Sequence, residues 1–247
     1  MPTSYLVAGA SRGIGLEFIR QLARQQQEED DDVVVYGTVR NLEKAPASLT
    51  NGSSSQEAEL RRVKWLQLDT NEQSQVDEAA RQVDELDVLI VNAAIGGEDL
   101  DLMDTNPSLL SQYLQNNVVG PHRIILAFLD ALRKGKQKKI ILISSRSGSM
   151  DMQAKSQQKH GSAGPYSVTK AAINMCAIQL ARELKPQGFI VNPLSPGWVS
   201  TDMGNKIVND KAMPVEQSVG GMLNVIRSLT LEKSATFYHY DGSVVPW

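Results

Sequence analysis

The sequence is poor in the residues that cross-link a domain or bind a metal. It contains one cysteine, Cys176, so neither an intrachain disulfide nor a cysteine-cluster metal site can form. Cys176 falls inside an apolar helical run and reads as a small packed hydrophobe rather than a reactive thiol. The three histidines, His122, His160 and His239, are far apart, match no metal-ligand spacing, and read as structural or surface residues. Net charge is only -3 and the pI is about 5.7, which excludes the basic footprint of a nucleic-acid binder or of a protein that lies on anionic membrane. No apolar run approaches the ~20 residues that span a bilayer. No internal repeat or interdomain linker is visible. Because Ser4 to Ala8 already reads as a buried strand, no signal peptide is expected, and a cytoplasmic location is the default.

What is present is a regular alternation. Apolar runs of strand length near Ser4 to Ala8, Val33 to Thr38, Val63 to Leu68, Val88 to Val91, Ile140 to Ile143, Phe189 to Leu194 and Phe237 to Tyr240 are separated by helical patterns. Such alternation signifies parallel βαβ units. Helices are expected from after Gly15 to about Arg24, over Glu72 to Leu86, about Pro107 to Arg133, Tyr166 to about Lys185, and about Pro214 to Leu229. Asn41 to Arg62 reads as a turn-rich surface segment, and the lysine- and glutamine-rich Ser149 to Ala163 as an exposed loop. A chain of 247 residues is long enough for one sizeable core, so the expectation is a single α/β domain covering residues 1–247.

The first strand runs into Gly9-Ala10-Ser11-Arg12-Gly13-Ile14-Gly15 and then a helix. Glycines let backbone approach a pyrophosphate, and a helix N-terminus adds free N–H groups and partial positive charge. The acids at Glu28 to Asp32 precede the second strand and cannot be the ribose ligand, which must lie at that strand's carboxyl end. There the chain reads Thr38-Val39-Arg40-Asn41, without a carboxylate. Arg40, with Arg12, is placed to clamp a 2′-phosphate, which points to NADP; the alternative is two ordinary surface arginines. Asp69, after the third strand, would contact an adenine amino group or cap the next helix. Small residues at Asn92-Ala93-Ala94 allow close approach of a cofactor.

Tyr166 and Lys170 lie four apart on one helix face, where an ammonium would favour the phenolate and lower the tyrosine pKa. Such a tyrosine serves as a general acid and base near neutral pH.

Gly-x-x-x-Gly-x-Gly, Asn-Ala-Ala, Asn117, Ser145, Tyr-x-x-x-Lys and Pro-Gly-x-x-x-Thr, in this order, resemble the short-chain dehydrogenase/reductase family. The resemblance covers nearly the whole chain. Within the family, Ser195 to Gly204 and the ending Tyr240 to Trp247 look like the sniffer and C-factor branch of carbonyl reductase-like members. The implied fold is a single-domain Rossmann fold, a doubly wound, mostly parallel seven-stranded sheet with helices on both faces.

The resemblance also implies roles. Tyr166 would give or take the proton, Lys170 would tune it and bond the nicotinamide ribose, and Ser145 would hold the substrate oxygen. Asn117 would help hold a water linking Lys170 to solvent. Gly9, Ser11, Arg12, Gly13 and Ile14 would cradle the cofactor, Asp69 would meet the adenine, and Asn92 with Ala93 would support the sheet beside it. Pro196, Gly197, Val199 and Thr201 would form the loop at the nicotinamide carboxamide and phosphate. The sequence departs from the family at Ala8 and Ala94, where threonine and glycine are usual. Ser145 precedes Tyr166 by more than the usual gap, which leaves Ser144 and Ser147 as rivals.

The expected activity is NADPH-dependent reduction of a small-molecule ketone or aldehyde, with an NAD-linked alcohol dehydrogenase or a non-catalytic NADP(H)-sensing protein as alternatives. Trp198, Met203, Ile207, Val208 and Met213 would form an apolar wall over the nicotinamide or pack ordinarily. A homodimer paired through the helices around Asn117 and Tyr166 is the implied assembly.

Overall fold

A computed structural model of the chain describes residues 3–28, 33–44, 60, 62–96, 100–156, 164–201 and 212–247. Most of the Asn41 to Arg62 segment, the acids at 29–32, the end of the 149–163 loop, His160, and Met203, Ile207 and Val208 lie outside the described residues. The elements are β1 (Thr3–Ala8), α1 (Gly13–Glu28), β2 (Val33–Val39), β3 (Lys64–Gln67), α2 (Gln73–Arg81), β4 (Val88–Val91), α3 (Pro107–Leu114), α4 (Gly120–Lys134), β5 (Lys139–Ile143), α5 (Met150–Lys155), α6 (Gly164–Leu184), β6 (Ile190–Ser195), α7 (Val215–Ser228) and β7 (Tyr238–His239).

The strands form one seven-stranded sheet in the order β3-β2-β1-β4-β5-β6-β7, the doubly wound α/β fold expected. β1 pairs in parallel with β2 on one side, Tyr5 opposite Val35, and with β4 on the other, Tyr5 opposite Val88. Strand order therefore reverses at β1. The crevice at the carboxyl ends of β1 and β4 is the switch point where open α/β sheets bind ligands. β4 and β5 are buried throughout, which explains the uninterrupted apolar runs Val88 to Val91 and Ile140 to Ile143.

Two compact units divide the chain, Met1–Ala93 with Arg123–Ile140, and Ala94–His122 with Ile141–Trp247. The first is tied by Asp87, 3% exposed, at the entry to β4. One carboxylate oxygen accepts from the Ser4 N–H and hydroxyl at 2.9 and 3.0 Å. The other accepts from the N–H groups of Lys136 and Gln137 at 2.8 and 3.1 Å. Burial alone would raise the Asp87 pKa, but these bonds outweigh it and hold the group below the usual carboxylate range. They pin the turn ahead of β4, and α2 ends at Arg81 instead of the expected Leu86. Leu86 and Val83 are still buried, but as loop residues, with the Leu86 N–H donating to Ala131.

In the second unit, Asn106 caps α3 by accepting from the Leu109 N–H at 2.9 Å, with Pro107 at the first helical position. The single helix expected over Pro107 to Arg133 is two helices joined by a π-helical turn, Gln115–Val119. The described part of the expected 149–163 loop contains α5, capped by Ser149, whose Oγ accepts from the Met152 N–H at 3.1 Å. α6 stops at a 3-10 turn, Lys185–Gln187, closed by Gly188 at φ +81°. Among the described residues, no helix is long and apolar enough to cross a membrane, and no cluster of histidine, cysteine, aspartate and glutamate could hold a metal ion.

Candidate active site

In the first unit, the turn after β1 is shaped by what cannot fit there. Gly9 has φ +87°, and a Cβ on it would lie 2.8 Å from the Ala93 backbone. A Cβ on Gly15 would lie 2.0 Å from the Gly9 carbonyl oxygen and 2.6 Å from Nδ2 of Asn92. That Nδ2 donates to the Gly9 carbonyl at 2.8 Å, while the N–H groups of Asn92 and Ala93 both donate to Ala8. Thr38, which the sequence did not single out, holds the turn from the β2 side. Its hydroxyl accepts from the Gly9 N–H at 3.0 Å and its carbonyl from the Ala10 N–H at 2.9 Å. The Gly9 to Ile14 turn is thus rigidly seated at the switch point, with Ser11 and Arg12 exposed and Gly13 and Ile14 half-buried.

Arg40 is exposed immediately beyond β2. The neighbouring Asn41 side chain accepts from the Glu43 N–H at 2.8 Å. Asp69 is half-buried after β3, its Oδ1 accepting from the Asn71 N–H at 2.9 Å and its carbonyl from Glu72. Its carboxylate thus closes a local turn and does not cap the following helix, whose N-cap is Glu72.

The second unit brings Asn117, Ser145, Tyr166 and Lys170 together. Asn117, 1% exposed, lies in the π turn. Its Oδ1 accepts from the Ile95 N–H at 2.8 Å, and Nδ2 donates to the Ile95 carbonyl at 2.9 Å and to the Thr169 hydroxyl at 3.1 Å. The Thr169 hydroxyl in turn donates to the Tyr166 carbonyl at 2.7 Å. The Asn117 amide thus braces Ile95 against α6. A π turn in mid-helix reorients a side chain by one residue, a device common at functional sites.

The serine ambiguity resolves. The Ser144 hydroxyl is buried and donates to Oδ1 of Asn174 at 2.6 Å. The Ser145 hydroxyl hydrogen-bonds the Tyr166 hydroxyl group and also accepts from the Ser147 N–H at 3.1 Å. Asn174, the other residue sequence reasoning passed over, also donates to the Gly148 carbonyl at 3.2 Å. Its signal was its place one turn beyond Lys170 on the same helix face.

Lys170 is 3% exposed; its Nζ donates to the Ile143 carbonyl at 2.7 Å and lies 5.3 Å from the Tyr166 ring centre. Burial depresses its pKa to about 8. The Tyr166 pKa is pushed up to about 12, chiefly by burial, with the Ser145 bond opposing and the buried Tyr113 adding to the rise. This corrects the expectation that Lys170 lowers the tyrosine pKa. Desolvation of the phenolate sets this direction, while the Lys170 Nζ is turned to a backbone carbonyl.

The loop after β6 is held on two sides. Ser218 donates to the Pro196 carbonyl at 2.6 Å, and Val199 bridges Met213 in parallel, with the Ser200 N–H donating to Met213 and the Met213 N–H to Trp198. Gly197 has φ +81°, and a Cβ there would lie 2.9 Å from the Met213 side chain. Val199 is buried and Thr201 half-buried. Met213 thus packs on the loop as structure; the rest of the expected wall apart from Trp198 lies outside the described residues. Cys176 is half-buried with its thiol pKa raised by burial, in keeping with a packed, inert residue.

A glycine-lined turn at the switch point of the sheet is the arrangement of dinucleotide-binding α/β folds. Residues 4–212 match the short chain dehydrogenase family model, and the chain belongs to that family. It is 38% identical over 162 residues to the C-signal of Myxococcus xanthus, covering 66% of this chain and 93% of that one. It is similar to the solved carbonyl reductase Sniffer of D. melanogaster, with 25% identity, a TM-score of 0.85 and full coverage of both chains. It is also similar to NADPH-bound carbonyl reductase from chicken fatty liver, with 28% identity, a TM-score of 0.82 and full coverage of both chains.

Proposed function

We propose that the protein is an NADPH-dependent reductase of ketones or aldehydes. The observation that carries this reading is the Tyr166 hydroxyl, hydrogen-bonded by Ser145, with Lys170 buried beside its ring. Membership of the family and the resemblance to an NADPH-bound carbonyl reductase support it.

The residues fit the cofactor. A turn in which glycine is enforced at Gly9 and Gly15 leaves backbone open to a pyrophosphate. The carboxyl end of β2 offers the exposed Arg40 and no acid, which suits a 2′-phosphate. Gly9, Ser11, Arg12, Gly13 and Ile14 would hold the phosphates, Arg40 the 2′-phosphate, Asp69 with Asn92 and Ala93 the flank, and Pro196, Gly197, Val199 and Thr201 the nicotinamide side. Bound NADPH supplies a hydride to the carbonyl carbon. Ser145 holds the carbonyl oxygen, and Tyr166 gives it a proton. With its pKa raised by burial to about 12, Tyr166 carries at neutral pH the proton that reduction consumes. Lys170 is the nearest cation to stabilise the phenolate left behind.

Replacing Tyr166 with Phe tests the assignment. Loss of carbonyl-dependent NADPH oxidation with NADPH binding retained is the expected outcome; turnover at the wild-type rate would sink it. A signalling protein on the same fold is the second reading, favoured by the likeness to a protein named C-signal. Tight NADPH binding without turnover across aldehydes, quinones and ketones would support that instead.

The chain is also read as one folding domain and as a homodimer. Val168 and Met175 on α6 are exposed, 37% and 49%, and lie seven apart, two helical turns along one face. A single cooperative unfolding transition and a dimeric mass by light scattering are the expected results.

A further inference from the structure

We propose that the segment Val245 to Trp247 is a strap that positions Ser145, acting through Ser149 and Asp151; the inference rests on the assignment of Ser145 to the substrate oxygen.

Ser145 stands at the start of a single 3-10 turn, Arg146–Gly148. Such a turn has little rigidity of its own. Its internal ties are the Gly148 N–H donating to the Ser145 carbonyl at 2.9 Å, the Ser149 N–H to Arg146 at 3.0 Å, and the Ser147 N–H to the Ser145 hydroxyl at 3.1 Å. Its position is set from outside, on two sides. On one side lies α6: Asn174 donates to the Gly148 carbonyl, and a Cβ on Gly148 would come within 2.5 Å of the Lys170 carbonyl carbon.

On the other side lies the end of the sequence. A hairpin bends back at Gly242, φ +87°, with Val245 donating to the Phe237 carbonyl at 2.8 Å. The Trp247 ring stacks on Phe237, centroids 5.8 Å apart and planes 25° from parallel. The strap then grips the far end of the serine turn by its backbone. The Ser149 hydroxyl, fully buried, donates to the Pro246 carbonyl at 2.6 Å, and the Asp151 N–H donates to the Trp247 carbonyl at 2.8 Å. The Ser149 oxygen also accepts from the Met152 N–H, so the hydroxyl is held both by the strap and by α5. The Tyr240 to Trp247 motif, which no catalytic or cofactor role absorbs, thereby acquires a function. Its aromatic anchor fixes two carbonyl oxygens that hold the turn carrying the substrate-binding hydroxyl against Tyr166.

A misplacement of about 1 Å in a positioning group costs as much as ~100-fold in rate. Trp247→Ala should therefore lower kcat for carbonyl reduction at least about tenfold while the NADPH dissociation constant stays within about twofold. Trp247→Phe, which keeps a ring on Phe237, should restore kcat. In a Ser145→Ala background, Trp247→Ala should have little further effect, because the group it positions is already gone. Ser149→Ala provides a variant that leaves the aromatic stack intact and should repeat the kcat loss.

A readout independent of turnover is the Tyr166 ring Cζ resonance in 13C-tyrosine-labelled protein, assigned with Tyr166→Phe. It should move in Trp247→Ala in the same direction as in Ser145→Ala, because both lose the Ser145 bond. Additive kcat losses in the double variant, or an unmoved Tyr166 resonance, would overturn the strap. Absence of any carbonyl turnover in the wild type defeats the reductase assignment alone, and the resonance then decides the strap by itself.

Discussion

The Lys170 ammonium donates to the Ile143 carbonyl at 2.7 Å, at the very end of β5, while its helix neighbour Tyr166 takes its hydrogen bond from Ser145. The lysine is thus held to the sheet and the tyrosine to the serine turn. Burial depresses Lys170 to about 8, so the folded state binds fewer protons than the unfolded chain between about pH 8 and the ordinary lysine value near 10.5. Stability of the cofactor-free protein therefore gains a contribution from Lys170 as pH rises through that window. Urea midpoints taken at pH 7.5, 8.5 and 9.5 should show it as a positive slope against Lys170→Met, which lacks the group. Parallel pH profiles for the two proteins would contradict the depressed value.

Ser144 and Ser145 are adjacent in sequence but do different work. Ser145→Ala should lower kcat by roughly 10²–10³-fold with little change in stability, as for loss of a hydrogen-bond donor to a reacting oxygen. Ser144→Ala strips Asn174 of its buried donor and should cost about 1–2 kcal/mol of stability, with kcat within a few-fold of wild type. Steady-state kinetics and denaturant unfolding on the pair separate the roles; a reversed pattern would make Ser144 the substrate serine.

Much of this was legible in the sequence. Val88 to Val91 had to be a central parallel strand because no position in it is polar, and Gly9, Gly13 and Gly15 after a strand marked a tight turn into a helix. Tyr166 and Lys170 were picked out by spacing and Ser145 by the family resemblance, and the structure brings them together. What escaped is what depends on neighbours far along the chain. The π turn at Asn117 is a shift in backbone register with no composition of its own. α5 was hidden by its lysine and glutamine content, although Ser149 and Asp151 were a cap and a first-turn acid in plain view. The direction of the Tyr166 pKa could not follow from a Tyr-x-x-x-Lys spacing, because it is decided by how deeply both groups are buried.

Asp87 predicts an acid-sensitive joint. With its carboxylate removed, as in Asp87→Ala, the N–H groups of Ser4, Lys136 and Gln137 lose their acceptor. The expected cost is roughly 2–4 kcal/mol. Because the folded pKa is depressed, the carboxylate's contribution is complete above the ordinary value near ~3.9 and is lost as pH falls through the folded value. The stability gap between wild type and variant should hold constant from pH 7 to 5 and narrow below pH 4. A gap that persists unchanged at pH 3 would show that packing, not charge, is what Asp87 contributes.

Gly15→Ala tests the cradle without removing a functional side chain. The added methyl meets the Gly9 carbonyl oxygen at 2.0 Å, and that oxygen is tied to Asn92 and cannot move aside freely. The turn must shift, at a cost of about 1–3 kcal/mol in stability. NADPH affinity should fall at least about tenfold, since a displaced turn no longer presents its backbone to the pyrophosphate. Fluorescence titration with NADPH and thermal unfolding measure the two effects. Undiminished affinity would place the phosphates elsewhere.

Arg40 decides which cofactor the site prefers. It is exposed just beyond β2, where no carboxylate stands to receive a ribose 2′-hydroxyl. A guanidinium bonded to a 2′-phosphate is worth about 1.5–3 kcal/mol as a charge-assisted contact, and somewhat less in the presence of salt. Arg40→Ala should therefore weaken NADPH by about tenfold or more and leave NADH nearly unchanged, reducing the preference without abolishing it, because Arg12 remains. Raising the ionic strength should weaken NADPH binding more in the wild type than in the variant. Equal losses for NADPH and NADH would mean that Arg40 supports the fold of the turn and does not read the phosphate. An unchanged preference would transfer the discrimination to Arg12, which Arg12→Ala measured in the same titration would then reveal.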